Sequence, residues 1–166
     1  ANLHRCILPR QSQIWAVIRK EDSLKRIAYS IANTFLGRMC ISGDVTELNT
    51  QQWELIEAGI AFYKKIAGIL KYGKSFRFGP DINSVRNPEG WQGLVRVGEE
   101  RDAYVVFHTF AGELPEMIQI PLPDNSGWEL ADLYSDTPVE VTLKEQTLYY
   151  RPEENFKAVA ILLKSR

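Results

Sequence analysis

The sequence predicts an α+β fold in two parts. Residues 1–73 read as helices and a last strand from the end of a (β/α)8 barrel, and residues 74–166 as a C-terminal antiparallel β-sandwich. Three observations predict it. Apolar residues recur at helical spacing up to Leu70, then at a strand-like period of two. The run from Gly37 to Trp53 reads as strand, polar Gly-containing turn and capped helix, one βα step of a barrel. Beyond Gly90, turn signals recur about every eight to twelve residues, the spacing of a sandwich.

Each element has its own warrant. From Asp22 to Phe35, residues Leu24, Ile27, Ala28, Ile31, Ala32 and Phe35 follow helical spacing. Asp22 or Ser23 can cap the start, and Gly37 sits where helices commonly end. Arg38 to Ile41 reads as a short strand, closed by the Ser42-Gly43-Asp44 turn. Asn49 and Gln52 then have the spacing of a capping box, with Leu48 and Trp53 placed as a hydrophobic staple. Trp53, Ile56, Ile60, Tyr63, Ala67 and Leu70 form the expected apolar stripe, and Gly73 ends the helix. Trp15 and Trp53 are expected to pack. Residues 74–90, with Gly79-Pro80 and Asn87-Pro88, read as a lead-in loop. Expected strands are 94–97, 103–110, 117–122, 129–134, 139–143, 147–151 and 157–163.

Composition narrows the function classes. The 166 residues carry a net charge of -1, so no electrostatic footprint for nucleic acid or an anionic membrane is expected. Apolar runs such as Ala158 to Leu163 are too short to span a bilayer. The opening Ala-Asn-Leu-His-Arg-Cys has no apolar leader core and no Met, which fits a processed chain or, by preference, an excised piece; a cytoplasmic location is expected. His4-x-Cys6, Cys40 and His108 make a poor metal inventory, and no P-loop or dinucleotide motif appears, so no cofactor is expected. Cys40 reads as a small buried hydrophobe and His108 as structural.

An ordered series of short motifs points to a family. Ile14-Trp15-Ala16-Val17, Tyr29-Ser30, Leu36-Gly37-Arg38, Ser42-Gly43-Asp44, Leu48, Gln52-Trp53 and Phe62-Tyr63-Lys64-Lys65 follow one another. Gly73, Phe76-Arg77-Phe78 and Gly90-Trp91-Gln92 continue the series. It resembles the end of the catalytic barrel and the C-terminal β-domain of the melibiase-type α-galactosidases, glycoside hydrolase family 36. The resemblance implies a retaining hydrolase of terminal α-galactosides, with two carboxylates about 5 Å apart. In that family the nucleophile lies in a Lys-Trp-Asp-type motif and the acid/base Asp on a later strand. Neither motif is present here, so the chain is expected to be non-catalytic alone.

The resemblance places Ser42, Gly43 and Asp44 on the pocket rim of the parent enzyme. Asp44 and Glu47 can be read as an acid/base pair or, more simply, as acidic residues complementing a helix dipole. Ser12, Ser30 and Ser42 lack the setting of a nucleophile. Trp91 and Trp128, next to turns, either cap the sandwich or offer stacking faces to sugar, which leaves an independent carbohydrate-binding module or an unrelated structural domain as rival classes. Expected partners are the rest of the parent barrel, its α-galactoside, and a second copy of the chain in a homo-oligomer.

Overall fold

The computed structural model describes residues 6–99, 102–123 and 127–165. Ser23 starts helix α1 (Leu24–Thr34), its side chain accepting from the Arg26 backbone N–H. Asp22 instead accepts from the Arg19 backbone N–H at 2.8 Å. Before α1 lies β1 (Gln13–Ile18), and after it β2 (Arg38–Gly43), parallel to β1. Helix α2 (Thr50–Tyr72) follows, with Asn49 as N-cap, a complete capping box to Gln52, and Gly73 at its end.

The chain then makes β3 (Lys74–Phe78), β4 (Trp91–Val97), β5 (Ala103–Thr109), β6 (Ile118–Pro121), β7 (Trp128–Tyr134), β8 (Val141–Lys144), β9 (Thr147–Tyr150) and β10 (Ala158–Ser165). Five of these form an antiparallel sheet in the order β3-β4-β5-β10-β7, and three form a second sheet, β6-β9-β8. The architecture is α+β, with two antiparallel sheets face to face.

Three layers result. Val95, Val105, Phe107, Val159 and Ile161 of the larger sheet pack on Ile118, Ile120, Leu148 and Tyr150 of the smaller one. The opposite face of the larger sheet, through Leu94, Tyr104, Val106, Ala160 and Leu162, packs on Ile27, Ile31, Phe35, Ile56, Phe62 and Ile66 of the helical layer. Strand β5 is therefore buried along its whole length, since both of its faces are covered.

The helical layer is also pinned by polar contacts. Tyr104 donates its hydroxyl to the Phe35 carbonyl at 2.7 Å, and Tyr134 to the Leu55 carbonyl at 3.2 Å. Arg96, fully buried, donates to Tyr104 Oη and, at 2.8 Å, to Ser75 Oγ. Burial of a charge is tolerated because its N–H groups find acceptors.

The structure corrects three readings. Residues 74–78, expected in a loop, form edge strand β3 against β4. The buried face of α2 runs through Gln52, Ile56, Gly59, Phe62, Ile66, Ile69 and Leu70; Ile56 and Leu70 of the expected stripe lie in it, Ile60 and Tyr63 flank it half-buried, and Trp53 lies outside it. Gly59 lies on that face: a Cβ there would lie 2.3 Å from Ile31 Cγ2, so the helices meet at a residue with no side chain. Trp15 and Trp53, expected to pack, are 57% and 37% exposed.

Candidate functional site

The site grows out of the two-stranded parallel sheet. Its register runs from Gln13↔Arg38 to Ile18↔Gly43. Successive side chains alternate between faces. Ile14, Ala16, Ile18, Met39 and Ile41 join the core beneath the helices. The other face carries Trp15, Val17, Cys40 and Ser42, and there Trp15 and Val17 stand open to water. Cys40 is half-buried, more accessible than its sequence setting suggested.

At the C-terminal ends of both strands the backbone is tightly specified. Gly43 has φ +111°, and a Cβ on it would lie 1.9 Å from the Ile18 carbonyl oxygen. No other residue fits there without moving β1. The Asp44 N–H donates to that same carbonyl at 2.8 Å. Asp44 thus lies one step past the last paired residue and meets Arg19, one step past its partner, in an ion pair of 3.3 Å. Lys20 and Glu47 make a second pair at 2.6 Å, and the Glu47 contact raises the Lys20 pKa above its ordinary value.

Both loops are held by Gln52. Its amide oxygen accepts from Asn49 N–H at 2.9 Å, completing the cap of α2. Its amide nitrogen donates to the Lys20 and Asp22 carbonyls at 3.0 and 2.9 Å. The loop leaving β1 is therefore fastened to the start of α2. Sequence spacing showed the cap; the long-range half of Gln52's role has no local signal.

Ser42, Gly43 and Asp44 are thus brought together at one end of the sheet with Arg19, a residue the sequence reading missed. Asp44 and Glu47 each face a cation, in ion pairs with Arg19 and Lys20. The larger surface cavities lie elsewhere: one of about 400 Å³ sits beside Gly68, Tyr72 and Asp102.

The remaining candidates lie in or against the core. His108 is buried with its ring edge-on to Tyr29 at 5.1 Å, and burial drives its pKa down to about 3. Trp128 is 5% exposed and Trp91 half-buried, so neither offers an open stacking face. His4 lies outside the described residues. Among the described residues no cluster of His, Cys, Asp and Glu could hold a metal, and no helix is long and apolar enough to cross a membrane.

The chain combines a parallel βαβα unit with an antiparallel sandwich packed on it. Solved structures with this fold include the α-galactosidase AgaA of glycoside hydrolase family 36 from Geobacillus stearothermophilus, in a doubly substituted form bound to raffinose. That match has a TM-score of 0.64 at 17% identity and covers 93% of this chain and 22% of that one. The α-galactosidase from Lactobacillus brevis matches with a TM-score of 0.61 at 15% identity, again over 93% and 22%. An α-amylase from H. orenii matches with a TM-score of 0.51 at 10% identity, over 87% and 36%. The chain thus has the fold of a part of the family 36 α-galactosidases and spans about a fifth of their length, 22%. No family model and no curated protein matches it by sequence.

Proposed function

We propose that this chain is the C-terminal portion of an α-galactosidase-like glycoside hydrolase acting on terminal α-galactosides. Residues 1–73 supply the last two βα units of its catalytic (β/α)8 barrel, and residues 74–166 its C-terminal β-domain. The observation that carries this reading is the open two-stranded parallel sheet. Parallel sheets occur almost only with both faces covered and as part of larger sheets. Here α1 covers one face, while Trp15 and Val17 are exposed on the other at 57% and 42%. In a closed barrel that face becomes the packed interior, and the strands' outer edges pair with neighbours.

The role of the chain alone is then to close the barrel and seat the β-domain on its final helix. Ser42, Gly43 and Asp44, at the C-terminal end of β2, fall where barrel enzymes keep their active sites, and form part of the pocket rim. The two catalytic carboxylates come from the part of the barrel that precedes these residues.

The test is release of nitrophenol from 4-nitrophenyl α-galactoside. The isolated 166-residue chain should give none, and the full-length polypeptide carrying it should turn over. Turnover by the isolated chain that persists through repurification and vanishes in Asp44→Asn would overturn the reading.

A further inference from the structure

We propose that Arg19 and Asp44 form a subsite for the leaving-group sugar of the α-galactoside, an inference that rests on the proposed function and adds a residue and a ligand part to it. The two side chains stand one step beyond the final strand pair Ile18↔Gly43. In a barrel, that position lies above the last interior layer, at the mouth rather than the floor. An enzyme that removes a terminal sugar holds that sugar deepest and points the leaving sugar outward, toward this level.

The chemistry of the pair fits a neutral polyol. Arg19 Nη1 touches Asp44 Oδ1 at 3.3 Å, and the Arg19 side chain is 59% exposed. The fork has further N–H donors to offer, and the carboxylate keeps acceptor capacity. A donor and an acceptor side by side match adjacent hydroxyls, one accepting and one donating. Because the pair is neutral overall, it draws no charged ligand.

The geometry is also preorganised. The Arg19 N–H is held by Asp22 Oδ2 at 2.8 Å. The Asp44 N–H is fixed to Ile18, and Gln52 clamps the loop between Arg19 and α1 at the Lys20 and Asp22 carbonyls.

The experiment compares two substrates in the full-length polypeptide. Raffinose carries a sugar leaving group and 4-nitrophenyl α-galactoside does not. Arg19→Gln and Asp44→Asn should each lower the kcat/KM ratio of raffinose to the nitrophenyl substrate about tenfold, the size expected for a lost charge-assisted hydrogen bond, mainly through KM. Lys65→Gln, which breaks the surface pair with Asp132, should leave that ratio unchanged. A ratio within about twofold of the parent in both rim variants, or an equal fall in Lys65→Gln, overturns the subsite while leaving the proposed function standing. Failure of the full-length polypeptide to cleave either substrate overturns the proposed function and the subsite together.

Discussion

Replacing Gly59 and Gly68 by Ala, one at a time, isolates the close contact of α2 with α1 at Ile31. Both glycines lie inside α2. In a helix interior, Gly→Ala is worth about 0.8–1 kcal/mol through propensity alone. At Gly68 the new methyl meets nothing within 4 Å, so that gain should appear in full. At Gly59 the methyl would lie 2.3 Å from Ile31 Cγ2 and 3.2 Å from the Tyr134 ring. Ile31 is itself fully buried, so it cannot swing aside into solvent. Overpacking of this kind costs about 1–3 kcal/mol. The propensity term is common to both variants and cancels in their difference. Gly59→Ala should therefore unfold at lower urea than Gly68→Ala by an amount equivalent to about 1–3 kcal/mol. Equal midpoints, or a more stable Gly59→Ala, would refute the close α1–α2 approach.

Three further outcomes are expected. Asn49→Ala should cost about 0.5–2 kcal/mol in urea unfolding, since its side chain accepts from Gln52 N–H, whereas Lys64→Ala on the exposed face should cost much less. His108 has a folded pKa of about 3 against an ordinary value of 6.5, so below pH 6.5 the unfolded chain binds a proton that the folded chain does not. Stability should therefore fall as pH drops from about 6.5 toward 3 more steeply in the parent than in His108→Gln, by up to about 1.4 kcal/mol per pH unit. The isolated chain should self-associate through the open face of β1 and β2, and Trp15→Lys should abolish the rise in scattering mass with concentration; unchanged association in that variant would move the contact elsewhere.

Much of this fold was legible wherever the signal is local. The α2 start is encoded within four residues, Asn49 to Gln52, and appears with both capping bonds formed. The later strands were readable because their apolar runs lie between turn residues, and each expected run overlaps a strand. Strand β3 escaped because an exposed edge bearing Lys74 and Arg77 carries little apolar pattern. The buried face of α2 was read only in part, at Ile56 and Leu70, because Gly59 and Gln52 hold two of its positions, and counting apolar side chains cannot register them. Arg96 lies within the expected strand 94–97, and it is buried because the helices cover that face of the sheet, a long-range fact with no local signal. The candidate site was half legible. Ser42-Gly43-Asp44 announces a turn after a strand, while Arg19 meets Asp44 across 25 residues, through a register that only the folded chain reveals.

The most direct measurement is a structure of the full-length polypeptide that carries these residues. Both β1 and β2 should each gain a second parallel neighbour, with Trp15, Val17 and Cys40 buried inside a closed barrel and Arg19 and Asp44 at its mouth. A structure in which the outer edges of these strands remain unpaired, or in which a second copy of the same sheet covers them, would contradict the assignment to a catalytic barrel.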